Sequence, residues 1–104
     1  MTVRVAAVNW KLRPIQSDGA FWNHGYEFIE QANDDGAQLV VLPELFTLEL
    51  LFLEPKLTEK KCPLYLAQYW EDMVNWLSRM SQNSGMAIVG GSHFHRNDEH
   101  HWRA

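Results

Sequence analysis

The chain has 104 residues and a mass of 12.1 kDa, so it holds at most one domain, and a chain of this size buries roughly 60–70% of its unfolded surface. Its 46% apolar and 21% charged residues are those of an ordinary globular protein and exclude a fibrous or disordered chain. A net charge of -4, with nine Lys and Arg scattered apart from Lys60-Lys61, supplies no basic field for nucleic acid.

Residues 3–8, Val-Arg-Val-Ala-Ala-Val, form a short β-branched run expected to be the first strand. The run is too short for the apolar region of a signal peptide and is interrupted by Arg4, and no stretch approaches the roughly 20 apolar residues of a membrane span. A cytoplasmic protein is expected, with no membrane partner. Cys62 is the single cysteine and cannot form an internal disulfide, which agrees with a reducing compartment.

Ser17 is a candidate N-cap, and Phe21, Trp22, Phe28, Ile29 and Ala32 after it form the stripe of an amphipathic helix that Gly36 should stop. Residues 38–42 are nearly all apolar and end at Pro43, the pattern of a strand buried on both faces. Further on, a polar linker leads into Lys60-Lys61-Cys62. Pro63 then opens a helix carrying Leu66, Tyr69, Trp70, Met73, Val74, Leu77 and Met80 on its inner face, ended by Gly85. Residues 86–91 read as the third strand, and Trp102 hints at another beyond it.

The order β-α-β-α-β implies an α/β fold with parallel strands, whose sites gather at the carboxyl ends of the strands. Those ends carry Asn9, Glu44, and Ser92 with His93. Three strands and two helices leave the sheet short of cover, because apolar strands need a layer on each face. Residues 1–104 are therefore expected to be part of a domain, completed by its remainder or by a partner.

Glu44 is the leading catalytic candidate. It directly follows an apolar strand, where Pro43 would stiffen the exit and aim the carboxylate into a partly desolvated crevice; a general base near neutral pH needs such tuning. Glu49 and Glu54 are nearby carboxylates that could pair with it. Cys62, beside two lysines and near a helix start, has the setting of a moderately reactive thiol, but the linker before it is unlike a catalytic elbow. His93, His95, His100 and His101 fall close together, with Asp98 and Glu99 among them, yet at no recognised ligand spacing. A solvated loop and no metal are expected. Gly90-Gly91-Ser92 is followed by no helical pattern and reads as a tight turn rather than a phosphate loop. Trp22, Phe28 and Trp70 fall on or beside helix stripes and are expected in the core, whereas Trp76 fits the stripe poorly.

Three segments, Val3-Arg4-Val5-Ala6-Ala7-Val8-Asn9, Leu39-Val40-Val41-Leu42-Pro43-Glu44-Leu45-Phe46 and Ile88-Val89-Gly90-Gly91-Ser92, together resemble the opening of the nitrilase, or carbon-nitrogen hydrolase, superfamily. Leu-Pro-Glu is the most specific step. The resemblance implies the N-terminal part of an α-β-β-α sandwich, less than half of the usual domain and commonly oligomeric. It also implies hydrolysis of non-peptide carbon-nitrogen bonds in small amides or nitriles by a glutamate, a lysine and a cysteine, without a cofactor. Only the glutamate matches here, as Glu44. A non-catalytic α/β binding or assembly module is the competing expectation, in which Glu44 is incidental.

Overall fold

A computed structural model describes residues 2–93 in full and, as backbone, the strand residues 95–96 and 102–103. Three parallel strands, β1 (Val5–Ala7), β2 (Leu39–Val41) and β3 (Ala87–Val89), lie in that spatial order, with Ala6, Val40 and Ile88 in register across the sheet. The ladder runs on past the strand ends, because the Val8 amide donates to the Val41 carbonyl and the Leu42 amide to that of Val89. All three exits are thereby drawn to one edge.

Helix α1 (Asp18–Asp34) connects β1 to β2. Its start is set by Ser17, whose Oγ accepts from the Ala20 amide at 3.2 Å. Its end is set by Gly36 at φ 79, which lets the Ala37 amide reach back to the Ala32 carbonyl and the Gly36 amide to that of Asn33. The expected start and stop are both observed.

The helix expected from Pro63 to Gly85 is instead two helices, α2 (Cys62–Ala67) and α3 (Trp70–Ser84). Gln68 and Tyr69 donate to carbonyls three residues back, which tightens the backbone and breaks the regular ladder. The break re-aims the apolar stripe. Leu66 and Met73 are buried as expected, but Trp70 and Val74 turn outward and Trp76 is buried to 4% exposure. Trp76 fits because α1 offers Gly25 opposite it: a Cβ at Gly25 would stand 2.7 Å from the indole ring. Among the described residues, a small pair of antiparallel strands, β4 (His95–Arg96) and β5 (Trp102–Arg103), follows, so the residue that hinted at a further strand does lie in one.

The core lies between the sheet and the helices. Trp10 joins its parts, with ring centroids 4.8 to 5.4 Å from Phe21, Phe28 and Phe46. Burying each such aromatic is worth about 1.5–3 kcal/mol. Val40 is fully buried on the helix side, whereas Leu39 and Val41 are only half-buried. Among the described residues the expectation of a strand covered on both faces thus fails, while α1 and α3 pack against each other.

Val5 is 52% and Val89 50% exposed on the uncovered side. The isolated 104 residues are therefore expected to self-associate, since apolar sheet surface finds cover where it can. Light scattering measures this; a monodisperse monomer with a cooperative melt would contradict it.

Candidate active site at the strand exits

Glu44 sits in the turn that leaves β2, one residue short of a 3₁₀ helix, Phe46–Leu53, a segment for which the sequence predicts no element. That segment is apolar in sequence except for Thr47 and Glu49, and Phe46, Thr47, Glu49 and Leu50 are buried in it. Between Glu44 and the helix, Leu45 adopts φ 53 and ψ 32, the one non-glycine at positive φ among the described residues. A left-handed L-residue costs about 1–2 kcal/mol, so surrounding bonds must hold it there.

Those bonds come from the exit of β3. The Leu45 amide donates to Ser92 Oγ at 3.1 Å, and Thr47 Oγ1 shares a hydrogen bond with His93 Nδ1 at 2.7 Å. Gly91, at φ 66, passes so near the Pro43 carbonyl oxygen that a methyl group there would overlap it. Residues 90–92, expected to form a tight turn, form none and instead pass closely against the peptide before Glu44.

A second anchor lies in the middle of the same 3₁₀ helix. Glu49 is fully buried, accepts the Trp10 indole N–H through Oε2 at 2.5 Å, and meets His24 Nδ1 with both oxygens at 2.9 Å. Trp10 stands just past β1 and His24 on α1, so the helix after Glu44 is tied to both. With both oxygens engaged by Trp10 and His24, Glu49 is not paired with Glu44, and Glu54 is exposed.

Glu44 itself is exposed. Among the described residues the expected partial desolvation is not provided, because no element of theirs closes over the exit that carries Glu44. His93 departs from expectation in the opposite sense. It is 4% exposed rather than solvated, its ring lies parallel to Trp70 at 6.3 Å between centroids, and its Nε2 is buried without a hydrogen bond. Burial pushes its pKa below the usual histidine value, while the nearby Leu66 carbonyl works more weakly the other way. The backbone of His95 lies in β4, and His100, His101, Asp98 and Glu99 lie outside the described residues. Among the described residues no three His, Cys, Asp or Glu side chains gather as a metal site.

Cys62 opens α2 after a short 3₁₀ turn, Glu59–Lys61, and its thiol donates to the Thr58 carbonyl at 3.4 Å. It belongs to a different segment from the strand exits. Trp22 and Phe28 are half-buried and pack on the core, as expected.

The second strand of the parallel sheet thus delivers Leu-Pro-Glu to a strained turn anchored by Ser92 and His93 on one side and by Trp10 and His24 on the other. The carbon-nitrogen hydrolase family matches residues 4–104, and the chain belongs to that family. It is also similar to a protein of Bacillus subtilis (strain 168) named as the probable hydrolase YhcX, at 29% identity over 96 residues that cover 88% of this chain and 18% of that protein. The chain thus spans less than a fifth of that relative's length. No solved structure matches the chain. Among the described residues no helix is long and apolar enough to cross a membrane.

Proposed function

We propose that this chain supplies Glu44 as the general base of a hydrolase acting on the carbon-nitrogen bond of small amides or nitriles. The observation that carries this is the placement of Glu44 at the exit of the central strand, exposed on a turn whose strained Leu45 is held by Ser92. Strain beside an accessible carboxylate is more readily understood as positioning than as packing. Family membership supports the reaction class.

In this reading Glu44 removes the proton of a cysteine thiol as the sulfur attacks the substrate carbon, forming a covalent intermediate. For an amide it then returns that proton to the departing ammonia or amine, and takes one from the water that releases the acyl group. A lysine ammonium stabilises the oxyanion. Neither the lysine nor the cysteine is assigned to this chain, in which Lys60-Lys61-Cys62 lies on a different segment. The chain is then the N-terminal part of an α-β-β-α sandwich, and the uncovered sheet face is closed by the remainder of that domain or by another copy. A thiol nucleophile also suits the reducing cytoplasm. The bare face would equally suit a non-catalytic assembly module, and activity separates the two readings.

The test is release of ammonia or amine by the whole protein from a panel of small amides and nitriles. Turnover of at least one supports the reading, and silence across the panel favours the assembly module. Alongside, Cys62→Ala is expected to leave kcat within about twofold of the parent while removing one site of thiol labelling. A loss of orders of magnitude in a folded variant would instead make Cys62 the nucleophile.

A further inference from the structure

Glu49 is the most deeply buried carboxylate among the described residues, and the mechanism above leaves it unused. Burying a carboxylate is expensive even when it is paired, and an apolar side chain of similar volume commonly serves stability as well or better. The neighbours Leu48, Leu50, Leu51 and Phe52 show that the segment tolerates apolar residues. Stability alone therefore gives a poor account of Glu49. Its bonds do more: packing of Leu and Phe has no direction, whereas the indole N–H of Trp10, in the segment after β1, and Nδ1 of His24, on α1, fix the carboxylate from two different parts of the chain.

We propose that Glu49 is a positioning residue for Glu44, locking the rotation of the 3₁₀ helix so that Leu45 stays left-handed and the Glu44 side chain stays at the strand exits. This rests on the role proposed for Glu44. Ser92 and His93 hold Leu45 and Thr47, and Trp10 and His24 hold Glu49, so the segment that directly follows Glu44 is fixed at three successive points. Releasing Glu49 frees the turn to rotate, and a misplacement of about 1 Å in a catalytic group is enough to cost on the order of 10²-fold in rate.

The experiment compares Glu49→Met with Glu49→Gln in the whole protein, reading kcat and KM on a turned-over amide and hydrogen exchange of the Leu45 amide. Methionine fills the space but accepts neither bond; kcat is expected to fall at least about tenfold with KM within about twofold, and the Leu45 amide to exchange at least about tenfold faster. Glutamine can still accept from Trp10 and can donate to a His24 that carries its proton on Nε2, so it should bring both readouts back to within about threefold. Should Glu49→Met fail to fold, Trp10→Phe keeps a ring in place while removing one donor, and is expected to move both readouts in the same direction by about threefold. A folded Glu49→Met or Trp10→Phe with parental kcat and parental Leu45 exchange overturns the proposal. Failure of the underlying reading looks different: Glu44→Gln would then keep its turnover, while Leu45 exchange would still report whether Glu49 holds the turn.

Discussion

Glu44→Gln in the whole protein is expected to abolish hydrolysis of amides and nitriles while the melting temperature and circular dichroism stay at the parental values. Glutamine keeps the size of glutamate and most of its hydrogen bonding, but it can neither accept a thiol proton nor return one to a leaving amine. Removing a general base costs about 10²- to 10⁴-fold by that effect alone. A base that acts together with a nucleophile and an oxyanion stabiliser can cost more, because members of such a set fail as a unit. The fold should not notice: Glu44 is exposed, and the turn around it is held by its neighbours. A folded variant with near-parental turnover would remove Glu44 from the mechanism.

Gly91→Ala should be nearly as damaging, through geometry alone. At φ 66 an alanine is strained by about 1–2 kcal/mol. Its methyl group would also overlap the Pro43 carbonyl oxygen, a backbone atom that cannot swing aside as a side chain can. Either the exit of β3 or the peptide before Glu44 must move, and a shift of about 1 Å there is expected to lower kcat by about 10²-fold. Gly85 provides the control. It has a similar φ of 74 at the end of α3, but a Cβ there meets nothing within 4 Å. Gly85→Ala should therefore lower the denaturant midpoint by a comparable strain and leave kcat within about twofold of the parent. Equal kcat losses in the two variants would show that strain, not displacement of the Glu44 turn, governs activity.

The parts of this fold legible in the sequence are those written in local chemistry. Ser17, Gly36 and Gly85 mark helix ends because each acts on its own backbone, and the β-α-β-α-β order follows from runs whose periods differ. Leu-Pro-Glu after an apolar strand placed Glu44 at a strand exit for the same reason. What stayed hidden depends on partners distant in sequence. The break at Gln68 and Tyr69 carries no glycine or proline, so the stripe from Leu66 to Met80 reads as one helix, and the burial of Trp76 depends on Gly25 some fifty positions earlier. The Glu49 anchor is closed by Trp10 and His24, 39 and 25 positions away. Its one visible sign was a lone acid among leucines, which reads as a possible second catalytic carboxylate until the burial is known. His93, grouped by spacing with His95, His100 and His101 in an expected solvated loop, is held by Thr47 across 46 positions.

The lone acid in that apolar segment also bears on how the chain finds a single structure. Leucine and phenylalanine side chains are near-equivalents as core fillers, so a run of them can slip by one residue and still bury comparable surface. A carboxylate cannot slip unnoticed, because every alternative alignment strands a charge away from its two donors. Glu49 thus acts as a punctuation mark in an otherwise repetitive stretch, making one alignment legible to the folding chain at some cost in stability. Sequences that drift among the flanking leucines and phenylalanines should fold to the same place as long as that mark remains.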